Sequence, residues 1–171
     1  MTVLFNQILT DTLRKEEMVS FLKKNPNLFD ETLIVSLGDK EPQSWRAAWL
    51  VKHYMSKNDP RVITNINSIL KALPNKKDGH QRELLKILMD MKLSEKQEGI
   101  LFDKCFTIWE DISKSSSVRG TAFSIIVDIV KKYPELRTEI EFLTQNHYVE
   151  TLTPGIRNSI VKTIKELNIN I

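Results

Sequence analysis

The chain has a single cysteine, Cys105, which excludes an internal disulfide framework and suits a reducing compartment. Glycine and proline are scarce, five and six among 171 residues, too few for a low-complexity or loop-dominated chain. No apolar run approaches the roughly 18 residues that a spanning helix needs. The start, "MTVLFNQILTDTLRKEE", lacks a cationic leader and a small-residue cleavage site, so no secretory signal is expected. Charge of one sign is also missing. The formal net charge is +3, without a basic tail or block, which falls short of a dedicated nucleic-acid binder. His53, His80 and His147 stand singly, without the paired spacing of metal ligands, and nothing near Cys105 resembles a Cys–His nucleophile. These absences predict a soluble cytoplasmic protein with no cofactor, no metal site, no membrane contact and no catalytic residues.

What is abundant is helical periodicity. In "SSVRGTAFSIIVDIVKKYPELR", Val118, Ala122, Ile125, Ile126, Ile129, Val130 and Tyr133 fall on one face of a helix of about four turns. Ser116 and Ser117 offer capping oxygens ahead of it, and Pro134 ends it while opening the next helix. Arg119 lies in the first turn, where the helix dipole already supplies positive charge, so a cation there needs a reason.

The same unit recurs. "SWRAAWLVKHYMSKNDPRVITNINSIL", "HQRELLKILMDMKLSEKQEGILFDKCF" and "GIRNSIVKTIKEL" align on Arg46, Arg82 and Arg157, giving successive spacings of 36, 37 and 38 residues through Arg119. An earlier copy, "TLRKEEMVSFLKKNPNLFDETLIVSL", shares its "KKNPNL" joint with "KKYPEL". A fixed period carried by two helices per copy predicts an α-solenoid. Pro26, Pro60 and Pro134 open three of the helices that follow an arginine helix, and "SEKQ" opens another with a capping box of Ser94 and Gln97. Asp78 and Gln81 in "DGHQ" suggest a second box, and the whole reads as about nine helices without a strand.

"SVRGTA", with its apolar run and the proline at the next joint, resembles the second-helix motif of HEAT repeats, in which Val-Arg-x-x-Ala opens the inner helix. The resemblance implies an all-α, right-handed α-solenoid of about five helical hairpins, with 1–171 forming a single repeat domain. The expected pairing joins each arginine helix to the helix after it, with the last copy reduced to one helix. The arginine helix would line a concave groove. The resemblance also implies an arginine ladder in which Arg46, Arg82 and Arg119 pair with acids such as Asp39, Asp78 and Asp111, fixing one repeat on the next. Read as a site, the row Arg46, Arg82, Arg119 and Arg157 is instead an anion-binding edge.

Trp45 and Trp49 lie in a helix that is apolar nearly all round. They are either core or exposed anchors for a partner. Cys105 shares a helical stripe with Leu101, Ile108, Trp109 and Ile112 and reads as a small core residue. "WED", at Trp109, Glu110 and Asp111, carries a faint resemblance to HEAT-like alkylbase DNA glycosylases. The stripe Ile156, Ile160, Val161, Ile164 and Leu167, with polar residues around it, marks a terminal cap. The leading function is therefore a non-enzymatic interaction or scaffold module for a peptide or protein, with Arg46, Arg82, Arg119, Arg157, Trp45 and Trp49 as candidate binding residues. The alternative is a nucleic-acid-binding HEAT-like protein, with the alkylbase DNA glycosylase type as its enzymatic form.

Overall fold

A computed structural model describes residues 9–10 and 14–166, so Leu167 of the C-terminal stripe lies outside the described residues. The described residues hold eleven α-helices and no strand. Three short 3₁₀ turns, at Pro26–Leu28, Leu73–Asn75 and Pro134–Leu136, supply the extra punctuation that the expectation of nine helices did not resolve. The chain divides into two compact units, Met1–Leu93 and Ser94–Ile171.

The first unit contains α1 (Lys15–Lys24), α2 (Phe29–Ser36), α3 (Gln43–Tyr54), α4 (Pro60–Ile63), α5 (Ile66–Ala72) and α6 (Asp78–Met89). α2 packs along α3 as an antiparallel hairpin, and α3 packs in turn on α1 and α6. Leu22, Phe29, Leu33, Leu50, Val51, Ile69, Leu84 and Leu85 are buried between them. One polar knot ties the start of α4 to the preceding hairpin. The buried Asp59 caps α4 at the Arg61 amide and pairs with the Arg61 guanidinium at 2.7 Å, which lies 3.7 Å from the Phe29 ring centroid and 5.4 Å from that of Tyr54. A second tie comes from Asn58, in the left-handed region at φ 55° that asparagine tolerates better than most residues. Its amide donates to Asp90 O at 2.7 Å, and its side chain accepts from the Lys92 amide at 3.1 Å, fastening the end of α6.

The second unit contains α7 (Glu95–Glu110), α8 (Ser116–Lys132), α9 (Arg137–Leu143), α10 (Asn146–Val149) and α11 (Pro154–Glu166). α7 and α8 form a long hairpin, and α11 and α9 pack on α8. Trp109 and Phe123, with ring centroids 4.6 Å apart, fill its centre with Ile126, Ile140, Leu143, Ile160 and Ile164. The capping box of Ser94 and Gln97 opens α7 as expected. The other capping expectations shift. α8 begins at Ser116 after Ser115, and Ser116 Oγ accepts instead from the Thr153 amide at 3.0 Å. α6 begins at Asp78 itself, while Gln81 turns back to donate to Leu73 O at 3.0 Å.

Repeated helical hairpins in an all-α chain are thus observed, but with a different phase. Each arginine helix, α3, α6, α8 and α11, packs most closely on the helix before it or on another arginine helix. The proline joints mislead because adjacency in sequence is not packing. At Pro134 the chain turns at once into a helix of only seven residues, too short to cover α8. The last copy is accordingly more than a single helix, since α9 and α10 precede α11.

Two predictions follow from this packing. A Cβ on Gly120 would lie 2.9 Å from Ile156 Cγ2, and Ala122 on the same helix is fully buried. Gly120→Val and Ala122→Leu should each cost about 1 to 3 kcal/mol, read by urea denaturation; unchanged midpoints would contradict the close packing of α8. Asp59 is held down to about 2 from 3.8, first by its hydrogen bond to Arg61. Because the folded value lies below the unfolded one, this stabilisation is complete above about 3.8 and disappears as the pH falls towards about 2. Asp59→Asn should be about 2 kcal/mol less stable at neutral pH, with the gap to wild type closing across that acid window. A gap independent of pH would rule the carboxylate out as its source.

Candidate functional site

Four carbonyls at the end of every α-helix lack an amide partner within the helix, and the dipole leaves that end partly negative. Two of the four arginines, Arg119 and Arg157, address those ends. Arg119 is fully buried: Nε donates to Trp109 O at 2.9 Å, Nη2 to Tyr148 O at 2.9 Å and Nη1 to Thr151 Oγ1 at 2.7 Å. Trp109 lies at the end of α7 and Tyr148 in the short α10, so one guanidinium closes two helix ends while standing at the start of its own helix. Its centre lies 4.9 Å from the Trp109 ring centroid. Burial pulls it below the usual arginine range, with the charge of Asp111 opposing that shift.

The first unit closes the end of α2 differently. Lys76 donates to Leu37 O at 2.8 Å and Gly38 O at 2.6 Å and pairs with Asp39, whose carboxyl it holds below the ordinary range. His80, buried at the start of α6, sets Nε2 2.7 Å from Ser36 O and Nδ1 2.8 Å from Glu41 Oε1. Asp39, the expected ladder acid for Arg46, therefore serves a lysine of the next hairpin. Arg157 also follows the carbonyl pattern, with Nη2 donating to Glu150 O just past α10. Arg82 lies one residue further along its helix than the other three and donates from Nε at 3.1 Å and Nη2 at 2.9 Å to the buried carboxylate of Glu83.

Arg119 is thereby withdrawn from the expected anion-binding row. Arg119 has no exposed surface to offer a ligand, and the ladder takes a form in which cations bind backbone oxygens more than carboxylates.

Trp45 and Trp49 fare otherwise. Ala47, Ala48, Leu50 and Val51 take the buried sides of α3, and Trp45 is left 36% exposed, its Nε1 3.6 Å from where a Gly79 Cβ would stand on α6. Trp49, one turn on, is half-buried and stacks on the exposed His53 with centroids 3.9 Å apart. His53 Nδ1 lies 2.8 Å from Trp49 O, a pure acceptor, so this nitrogen carries the proton. The Lys15 ammonium lies 5.3 Å from the Trp49 centroid. Lys15, Glu16, Val19, Ser20 and Lys23 of α1 face Trp49 and His53 across a groove of about 600 Å³. Beside it Arg46 Nη2 approaches Met18 Sδ at 3.4 Å, joining α3 to α1.

Trp45, Trp49, Arg46 and Arg82 thus belong to α3 and α6 of the first unit, while Arg119 and Arg157 belong to the second. Sequence reasoning missed Lys15, Val19, Lys23 and His53. The signal was present: Lys15, Val19 and Lys23 follow at i, i+4 and i+8, as do Trp45, Trp49 and His53. The "WED" segment does not assemble a pocket, because Trp109 is buried with Nε1 donating to Leu143 O at 2.9 Å. Glu110 accepts from the Tyr148 hydroxyl at 3.3 Å, and Asp111 is occupied by Ser113. Cys105 is buried, which pushes its thiol far above the ordinary range, the opposite of an activated nucleophile. Among the described residues no group of His, Cys, Asp or Glu could hold a metal ion, and no helix is long and apolar enough to cross a membrane.

A family model described as HEAT repeat domain matches residues 5–167. Comparison with curated proteins and with solved structures gives no match.

The carbonyl clamp predicts a specific asymmetry among the arginines. Arg119→Met should cost about 3 kcal/mol, since two buried carbonyls lose their donor, whereas Arg46→Met should cost under about 1 kcal/mol. Urea denaturation of both variants checks this. Equal losses would contradict a special structural role for Arg119.

Proposed function

The chain belongs to the HEAT repeat family, and we propose that it works as a non-enzymatic protein-interaction module. Its recognition surface in this reading is the outward face of α1, α3 and α6. The observation that carries the reading is the pair of tryptophans on α3. Trp109, Phe29 and Phe123 are buried, yet Trp45 and Trp49 keep exposed surface side by side, at a cost in hydration that a partner would relieve. Around them Arg46, Arg82, Lys15 and Lys23 supply polar and charged contacts, as the rim of an interface does. Arg119 and Arg157 lie in the second unit, where they bind backbone oxygens, and are not part of this surface. The lone buried thiol fits a cytoplasmic setting.

The test is affinity capture on the immobilised protein from native lysate, with and without nuclease treatment, comparing wild type with Trp45→Ser/Trp49→Ser, both verified as folded by circular dichroism. Retention of specific proteins by wild type, reduced on the order of tenfold in the variant, is the expected result. Equal retention by the variant would overturn the assignment of the surface. Retention that vanishes on nuclease treatment would point to nucleic acid instead.

A further inference from the structure

The groove between α1 and α3 has a definite chemistry. Its floor is apolar: Val19 on one side and the Trp49 indole on the other. Its rim is cationic: Lys15 and Lys23 are exposed on α1, and of the lining residues only Glu16 is acidic. α3 itself carries Arg46 and Lys52 and no acidic residue, and Lys52 is already paired with Asp90. Among the described lining residues, Lys15 and Lys23 supply the positive charge of the groove, offset in part by Glu16.

The dimensions add a constraint. Lys15 and Lys23 are eight positions apart on α1, which is about 12 Å along a helix axis. An extended chain covers that distance in about four residues. The Trp49 ring is already engaged by His53 at 3.9 Å and by the Lys15 ammonium at 5.3 Å, which leaves little stacking face for a nucleobase. An apolar side chain entering between Val19 and the indole edge needs no such face.

We propose that this groove binds a short acidic peptide segment in which an apolar side chain inserts between Val19 and Trp49, while flanking carboxylates about four residues apart pair with Lys15 and Lys23. This deepens the interaction reading above and rests on it. Electrostatic attraction gives the encounter and the polarity preference, and the buried apolar side chain gives the hold. Binding should weaken with added salt, because both lysines are exposed.

The experiment is fluorescence anisotropy with the full chain and three labelled probes: a peptide containing Glu-Ser-Phe-Ser-Glu, its counterpart with Lys for Glu, and oligothymidylate. Lys15→Glu/Lys23→Glu and Trp49→Ala are the variants, each checked for folding by circular dichroism. The acidic peptide should bind at least about tenfold more tightly than the basic one and lose about tenfold with either variant. The charge-reversed variant should in turn prefer the Lys peptide, a rescue that a merely unfolded protein could not show. Equal affinity for the two peptides, insensitivity to the variants, or no binding of the acidic probe would overturn this inference. The broader interaction reading would still stand if the tryptophan-dependent capture from lysate succeeds. Tighter, variant-sensitive binding of oligothymidylate would overturn both.

Discussion

A chain built from short helices accumulates helix ends, and each end presents carbonyl oxygens that no amide of the same helix can reach. α2, with eight residues, and α10, with four, are nearly all end. Burying such oxygens without donors would cost about 1 to 3 kcal/mol apiece, enough to cancel much of what packing contributes. The donors here come from the starts of arginine helices or the turns just before them. Arg119 closes α7 and α10, Lys76 and His80 close α2, and Arg157 reaches the carbonyl after α10. A cation at its own helix N-terminus is unfavourable by a few tenths of a kcal/mol, but beside the C-termini of antiparallel neighbours it is favourable by more. The apparent misplacement of Arg119 and Arg157 is a consequence of measuring them against the wrong helix.

That arrangement divides the residues between holding and recognising. Side chains that bind helix ends are withdrawn from the surface: Arg119, Lys76 and His80 are all buried. α3 is different. Its cation Arg46 contacts Met18 Sδ, its buried sides are filled by small and aliphatic residues, and its indoles are displaced outward. The first unit thus leaves tryptophan and histidine of α3 and lysines of α1 with exposed surface around one groove.

The repeat period and the all-α class were legible in the sequence because both rest on local periodicity, which helical packing repeats faithfully. The long apolar stripe of α8 and the Ser94–Gln97 box of α7 were legible for the same reason. The pairing of helices was not, because "KKNPNL" and "KKYPEL" mark the joints without saying which neighbour covers which face. The partners of Arg119 were hidden too: Tyr148 and Thr151 lie 29 and 32 residues away, and a backbone oxygen leaves no trace in the choice of residue. Of the candidate site, Trp45 and Trp49 could be picked out, but their sense could not, since an all-round apolar helix reads the same whether its indoles face a core or a partner. His53 became meaningful only once stacked on Trp49.

The most direct measurement of the carbonyl clamp is NMR of the arginine guanidinium groups in water and after transfer to heavy water. With Nε on Trp109 O and the Nη groups on Tyr148 O and Thr151 Oγ1, Arg119 should show a slowly exchanging Nε–H and separately resolved Nη signals from blocked rotation. Arg46, partly exposed, should exchange faster, and Arg82, held by Nε and Nη2 on the buried Glu83 carboxylate, should fall between the two. A fast-exchanging, averaged Arg119 signal, indistinguishable from the others, would contradict the role given to first-turn cations throughout.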